Sequence, residues 1–186
     1  MITGKNLSYP VIETDRFIMR NLSVEDVNDI FEYYKDDEVT KFTQSSIHKN
    51  IEDTVVMVEK LMNSYSNKRG IAWCIEHKAD KKVIGNIGIF AISQSGHKAK
   101  IGFIVSRKYW GQGYGTEMIR NALKYAIETM GINRIEGTCK MENIASSRAM
   151  EKAGMKYEGT LRDYSIKDEV CHDVKIYSMI RKDLEK

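Results

Sequence analysis

Gly111, Gly113 and Gly115 alternate within the segment Tyr109–Thr116, which reads YWGQGYGT. Residues without a Cβ can adopt positive φ and let the backbone come close to a ligand. Where such a turn opens a helix, the first amides have no intrahelical partner and the helix dipole adds positive charge. Together these make an anion site suited to phosphate. A purely structural turn does not call for three glycines in five residues. The Walker form is excluded because no Gly-Lys-Ser/Thr follows. The dinucleotide fingerprint GxGxxG fails at Thr116, where its third glycine belongs. Glu136 lies near the acidic position of that fingerprint, but the chain lacks the repeated βα alternation of the fold that uses it.

The elements around the turn can be read from periodicity. Lys100–Val105 (KIGFIV) is expected to be a strand leading into it. A helix from about Gly115 to Met130 should follow, with Met118, Ile119, Ala122, Leu123, Ala126, Ile127 and Met130 forming one apolar stripe. Gly131 stands where a left-handed helix cap is expected. Arg134–Lys140 reads as the next strand, and Ala145–Ala153 as a short helix stopped by Gly154. Met155–Asp163 and Cys171–Ile180 read as a final strand pair around Lys167-Asp168-Glu169. Upstream, Arg16–Leu22 alternates as a strand. Ser23 can cap a helix over Val24–Tyr34, and a second helix is expected over Ile51–Tyr65. Asp36–Asn50 looks irregular, with a short helical turn. Ile71–His77 and Val83–Phe90 read as a strand pair. The order β-α-α-β-β-β-α-β-α-β-β is α+β in character: a mixed, mostly antiparallel sheet flanked by helices, with one βαβ unit over Lys100–Lys140.

The chain has 186 residues and is expected to form a single domain over residues 1–186. It is 42% hydrophobic and 30% charged, with net charge +3 and one proline, Pro10. This is too little basic excess for a committed nucleic-acid binder, so no direct nucleic-acid binding is expected. No apolar run approaches the ~20 residues of a membrane span. Cys74, Cys139 and Cys171 are far apart and form no CxxC pair, so reduced thiols and a cytoplasmic location are expected. His48, His97 and His172 are isolated and give no metal-ligand spacing, so no metal is expected. Oligomeric state is left open.

Three segments carry a resemblance. IGFIVSRKYWGQGYGTEMI (101–119), NIASSRAMEKAGM (143–155) and EGTLRDY followed by HDVKIYSMI are similar, in order and spacing, to the GNAT N-acetyltransferases, specifically the RimJ/RimL-like branch that acts on ribosomal proteins. The similarity runs over roughly Glu13–Leu184. Trp110 stands where Arg or Gln usually opens the family's loop, a bulky replacement familiar in this branch. The resemblance implies a GNAT-type acyl-CoA fold with acetyl-CoA as cosubstrate. It places the amides of Gln112, Gly113, Tyr114, Gly115 and Thr116 on the pyrophosphate, and the strand edge Phe103, Ile104, Val105 along the pantetheine arm. Asn143 would bond the pantetheine and would also suit a helix N-cap. Ser146 would face the sulfur as an acid toward the departing thiolate. Arg107, Lys108, Arg148 and Lys152 are candidate phosphate partners.

The implied reaction is direct acetyl transfer from thioester to amine, with a backbone amide near Ile104 or Val105 stabilising the oxyanion. The branch often carries Glu where Lys100 stands here, so the base must lie elsewhere. Glu136 and Glu76 could serve through water, and His172 could line the acceptor pocket. Tyr33, Tyr34, Phe42 and Tyr164 could shape the acceptor groove, and Cys139 lacks a base partner for covalent catalysis. The expected acceptor is a protein or peptide N-terminal amine. A small amine or antibiotic is the alternative within the class, and a non-catalytic acyl-CoA sensor the alternative outside it.

Overall fold

The computed structural model describes residues 10–43, 45–66, 70–93, 95, 97–167 and 169–184. Its strands are β1 (Ile12–Glu13), β2 (Phe17–Asn21), β3 (Gly70–His77), β4 (Lys82–Phe90), β5 (Lys98–Val105), β6 (Arg134–Lys140), β7 (Lys156–Lys167) and β8 (Val170–Ile180). Its helices are α1 (Val27–Tyr34), α2 (Asp37–Thr40), α3 (Ile51–Ser66), α4 (Tyr114–Glu128), α5 (Ile144–Lys152) and α6 (Arg181–Leu184). The strands form one sheet in the order β1-β2-β3-β4-β5-β6-β8-β7. Only β5 and β6 run parallel, joined by α4 as crossover.

Helices cover both faces, which explains why β3 reads as the apolar run IAWCI rather than an alternating one. Ile71, Trp73 and Ile75 face the larger core, where the α4 stripe packs with Phe17, Met19, Ile87, Ile101 and Ile135. Cys74 faces the second core, shared with Ile30, Tyr33 and Val58 of α1 and α3, and with Val83 and Ile104. Tyr33 and Tyr34 are buried in this second core. Tyr33 donates to Asn86 Oδ1 at 3.0 Å, and Tyr34 stacks on His48 at 4.5 Å.

Several boundaries differ from the sequence expectation. Residues Val24–Asp26 form a 3-10 turn before α1, because Ser23 and Asp26 satisfy each other's backbone amides in a capping box. β1 and α6 are too short to give a periodic signal. The turn at residue 168 lies outside the described residues. Gly131 (φ 75°) takes the left-handed conformation expected of it, and Gly154, expected to stop the short helix, also has positive φ (101°).

The feature that positions the site is an incomplete strand pairing. β5 and β6 pair only from Lys98↔Arg134 to Ile101↔Gly137, although β5 continues to Val105 and β6 to Lys140. Beyond Gly137 the two strands part and a wedge opens in the middle of the sheet. Its β5 wall is backed by β4, and Gly85 permits that contact. A Cβ there would stand 2.4 Å from the Ile104 carbonyl oxygen. Backbone cannot yield as a flexible side chain does, so overpacking of ~2–3 kcal/mol is expected for Gly85→Ala. In a chain of this size that lowers Tm by roughly 5–10 °C, which a thermal melt will read.

Candidate functional site

The glycine turn closes the distance between the wedge and α4. Gly111 (φ 75°) and Gly113 (φ 83°) occupy the left-handed region, where an L side chain is strained. Gly115 lies inside the first helical turn, since α4 begins at Tyr114, one residue earlier than expected. A Cβ at Gly115 would meet Phe103, Val105 and Ala149 side chains at an ordinary 3.9 Å. Residue 115 therefore needs little space of its own but marks where β5, α4 and α5 converge.

The first intrahelical bond of α4 runs from Glu117 N–H to Gly113 O. The amides of Tyr114, Gly115 and Thr116 are thus left without helical partners, and Gly113 at the N-cap has no side chain to satisfy them. Arg16, in the bend just before β2, donates through one guanidinium nitrogen to Gln112 O at 2.8 Å. A trans peptide points its C=O and N–H in opposite directions. Drawing the Gln112 carbonyl toward Arg16 therefore turns the Gly113 amide the other way. Arg16 also pairs with Glu117 and rides 4.2 Å over the Tyr114 ring. Beneath them Tyr114 OH meets His77 Nε2 at 2.7 Å, His77 Nδ1 meets Asp80 at 2.9 Å, and Tyr109 donates to Asp80 at 2.5 Å. Burial, with the Asp80 carboxylate second, pushes the Tyr109 phenol up to about 12, so it stays a donor. The turn rests on a continuous polar platform.

The wedge edge of β5 follows from strand geometry. Ser106 N–H donates to Ile84 O on β4 at 2.7 Å. Successive residues turn their backbone groups to opposite sides. Ile104 therefore faces Asn86 on β4, while Phe103 and Val105 turn theirs into the wedge. This corrects the expectation for Ile104: its amide belongs to the sheet and its side chain to the second core. The Val105 carbonyl is already taken by the Trp110 indole N–H at 2.7 Å. Val105 therefore presents the wedge with a donor and no competing free acceptor.

On the opposite wall, Asn143 caps α5, its Oδ1 accepting from Ser146 N–H at 3.0 Å. Only the Asn143 NH2 is left to offer a ligand. Ser146 lies one helical turn from Ala149, which lines the Gly115 contact, and its hydroxyl has no partner among the described residues. Phe103, Val105, Gln112, Gly113, Tyr114, Gly115, Thr116, Asn143 and Ser146 are thus brought to one end of the sheet. Lys108, Arg148 and Lys152 carry no side-chain ion pair among the described residues, whereas Arg107 leans toward Asp36 at 3.6 Å.

The expected carboxylates are not brought there. Glu136 pairs in register with Lys100, in the stretch where β5 and β6 are still joined. It accepts from Arg134 Nε at 2.8 Å and faces Lys98 at 3.7 Å, so its charge is committed to an ion-pair network. Glu76 is held by Arg20 at 2.5 Å, beside Asp26, on β3. Burial raises the Cys139 thiol, which shares a 3.3 Å contact with Ser147, and this keeps it protonated rather than nucleophilic. Sequence reasoning missed Arg16, whose only signal was an arginine at the head of the first strand. It also missed Lys140 at the end of β6.

Comparison with known proteins fits this geometry. The Acetyltransferase (GNAT) domain family matches residues 16–156. The uncharacterized N-acetyltransferase YoaA of Bacillus subtilis (strain 168) is 33% identical over 93% of this chain and 98% of its own length. Among solved structures, a GNAT-family acetyltransferase from Bacillus anthracis superposes with a TM-score of 0.83 at 27% identity, covering 93% of this chain and 99% of that one. The microcin C7 self-immunity acetyltransferase MccE, in complex with acetyl-CoA and AMP, has a TM-score of 0.81 at 22% identity, covering 90% and 93%. At that identity it speaks to the fold alone.

Proposed function

The chain belongs to the GNAT acetyltransferase family and is an N-acetyltransferase with acetyl-CoA as its cosubstrate; we propose that its donor lies in the β5–β6 wedge and its acceptor is a primary amine at the end of a short chain. The observation that supports this is the alignment of the wedge with the uncapped start of α4. A pyrophosphate at the amides of Gln112 to Thr116 would complete the helix end. The pantetheine would then extend along Phe103 and Val105 in the manner of an added strand, with the Asn143 NH2 donating to one of its carbonyls.

Transfer proceeds by attack of the neutral amine on the thioester carbonyl carbon. The C–N bond forms, the C–S bond breaks, the amine's surplus proton leaves to solvent or a nearby base, and the thiolate is protonated. Val105 N–H is the donor placed to stabilise the oxyanion, and the Ser146 hydroxyl is the acid offered to sulfur. Holding both substrates in one groove supplies much of the rate.

The acceptor face is closed at its far end. Lys167 Nζ donates to the carbonyls of Thr40 at 2.8 Å, Thr43 at 3.2 Å and Ser45 at 3.5 Å. This clasp ties the β7–β8 hairpin to the segment after α2, and it favours a chain end or small amine over an internal lysine of a folded protein. The RimJ/RimL-like resemblance favours a peptide N-terminus among such acceptors. We propose a cytoplasmic location, on the support of three cysteines that are all free thiols, and a single acetyltransferase unit, on the support of one continuous sheet and one family match over residues 16–156.

Thiol release from acetyl-CoA in the presence of N-terminal peptides, polyamines and aminoglycosides tests the reading. Amine-dependent release is expected, with none from peptides whose N-terminus is blocked. CoA binding without amine-dependent release from any member of the panel would identify a sensor instead.

A further inference from the structure

Lys140 ends β6 at the mouth of the wedge. It is 9% exposed, yet its ammonium has no hydrogen bond or ion pair among the described residues. Burying a charge without a counter-charge is costly. The other charged side chain buried to this degree, Asp26, is bound by Arg20 and by the Ser23 amide. The Lys140 ammonium is also not sealed in. Ser165 Oγ is the only fully enclosed, unpartnered side-chain nitrogen or oxygen among the described residues, so the Lys140 nitrogen opens onto accessible space.

The register shows which space. Lys100↔Glu136 is a parallel pair, and side chains alternate along each strand. Lys140 therefore shares the sheet face of Gly102 and Ile104, and stands level with Ile104 across the wedge. Lys140 pairs with Val174 on β8, and Ser165 pairs with His172, two residues further along the same strand. Val174, His172 and Ser165 thus share the face of Lys140, which is also the face of Asn86 and of the Lys167 clasp. Ser165 is as deeply buried as Lys140, and the His172 imidazole has no partner among the described residues. The carboxylates nearby are engaged elsewhere: Glu136 by Arg134 and Lys98, and Asp173 by the Asp163 amide from the opposite face.

We infer that the amine acceptor also carries an anionic oxygen group, a carboxylate or a phosphate, and that Lys140 binds it, with His172 on the same face of the neighbouring strand. The inference rests on the wedge being the donor site. An ammonium open to the wedge and an imidazole on the same face are groups that recognise such an anion. Neighbouring strands lie ~4.8 Å apart where paired and farther where they part. Amine and anion are therefore separated by a short spacer, as in an amino acid, an aminoalkyl phosphate or a peptide N-terminus that opens on an acidic residue.

Calorimetric titration of the CoA-loaded full chain with product analogues tests this without requiring turnover. N-acetylglycine, N-acetyl-β-alanine and N-acetylphosphoethanolamine are compared with the neutral N-acetylglycinamide. At least one anionic analogue is expected to bind tenfold or more tightly than the amide, and the preferred arm tells carboxylate from phosphate. Lys140→Met should abolish the preference, Lys140→Arg should keep part of it, and CoA affinity should stay within twofold in both. A circular-dichroism melt confirms that both variants are folded. Equal binding of acid and amide, no binding of any analogue to a CoA-loaded chain, or a preference that survives Lys140→Met would each overturn the inference. Failure of the wild type to bind CoA would overturn the donor-site reading and this inference with it.

Discussion

Gly113→Asp should weaken CoA binding by two orders of magnitude or more while leaving the sheet folded. Three effects act in the same direction. At φ 83° any Cβ is in the left-handed region, which costs about 1–2 kcal/mol. The new carboxylate would sit among the amides proposed to hold the pyrophosphate and repel it. Its Cβ would also stand 3.7 Å from an Arg16 guanidinium nitrogen. An aspartate there would compete for Arg16 and draw it from the Gln112 carbonyl. Gly113→Asn separates these effects, because Asn tolerates positive φ better than most residues and carries no charge. It should lose far less affinity than Asp. Titration calorimetry with CoA, together with a circular-dichroism melt to confirm folding, reads both variants. Unchanged CoA affinity in a folded Gly113→Asp protein would remove the turn from the site.

Much of this arrangement could be read from the chain because its signals are local. The α4 stripe needs no partner to be recognised: its apolar positions from Met118 to Ile127 are buried, while Met130, also expected in it, lies past the end of the helix and is partly buried against the same core. Alternating glycines before a helix announce an open N-terminus wherever they fold. What could not be read depends on contacts between distant residues. Nothing in RFIMRNL states that Arg16 will meet Gln112, 96 positions later. The parting of β5 from β6 is invisible too: both strands have sound β patterning to their ends, and only the register shows that their pairing stops at Ile101↔Gly137. Glu136 looked free because its partner Arg134 lies two residues away on the same face of the strand, where ion pairing and solvent exposure give the same sequence pattern. Lys140 is the sharpest case. A lysine ending a strand reads as a surface residue, and only the fold, which sets β8 alongside β6, shows that most of it is buried.

The platform beneath the turn leads to the second large effect, at Arg16. Its guanidinium makes two kinds of contact that no other residue type reproduces together: a donor to the Gln112 carbonyl and a pairing with Glu117, with the Tyr114 ring packed against its plane. Removing it leaves the Glu117 carboxylate without its partner beside the helix end, in a region where an anion is meant to bind. It also frees the Gln112–Gly113 peptide to rotate, so the Gly113 amide no longer has to point outward. Hydrogen bonds to charged groups are worth about 1.5–3 kcal/mol, so Arg16→Met is expected to weaken CoA binding roughly 10- to 100-fold. Arg16→Lys keeps the charge but offers a point donor instead of a planar fork, and should recover only part of the loss. Glu117→Gln in the Arg16→Met background removes the stranded carboxylate. If that charge is the main source of the damage, CoA affinity should rise again in the double variant. If instead the freed peptide dominates, affinity should stay low, and hydrogen exchange at Gly113 should be faster in both. Loss of affinity with no change in exchange at the turn would show that Arg16 touches the ligand directly rather than holding the turn.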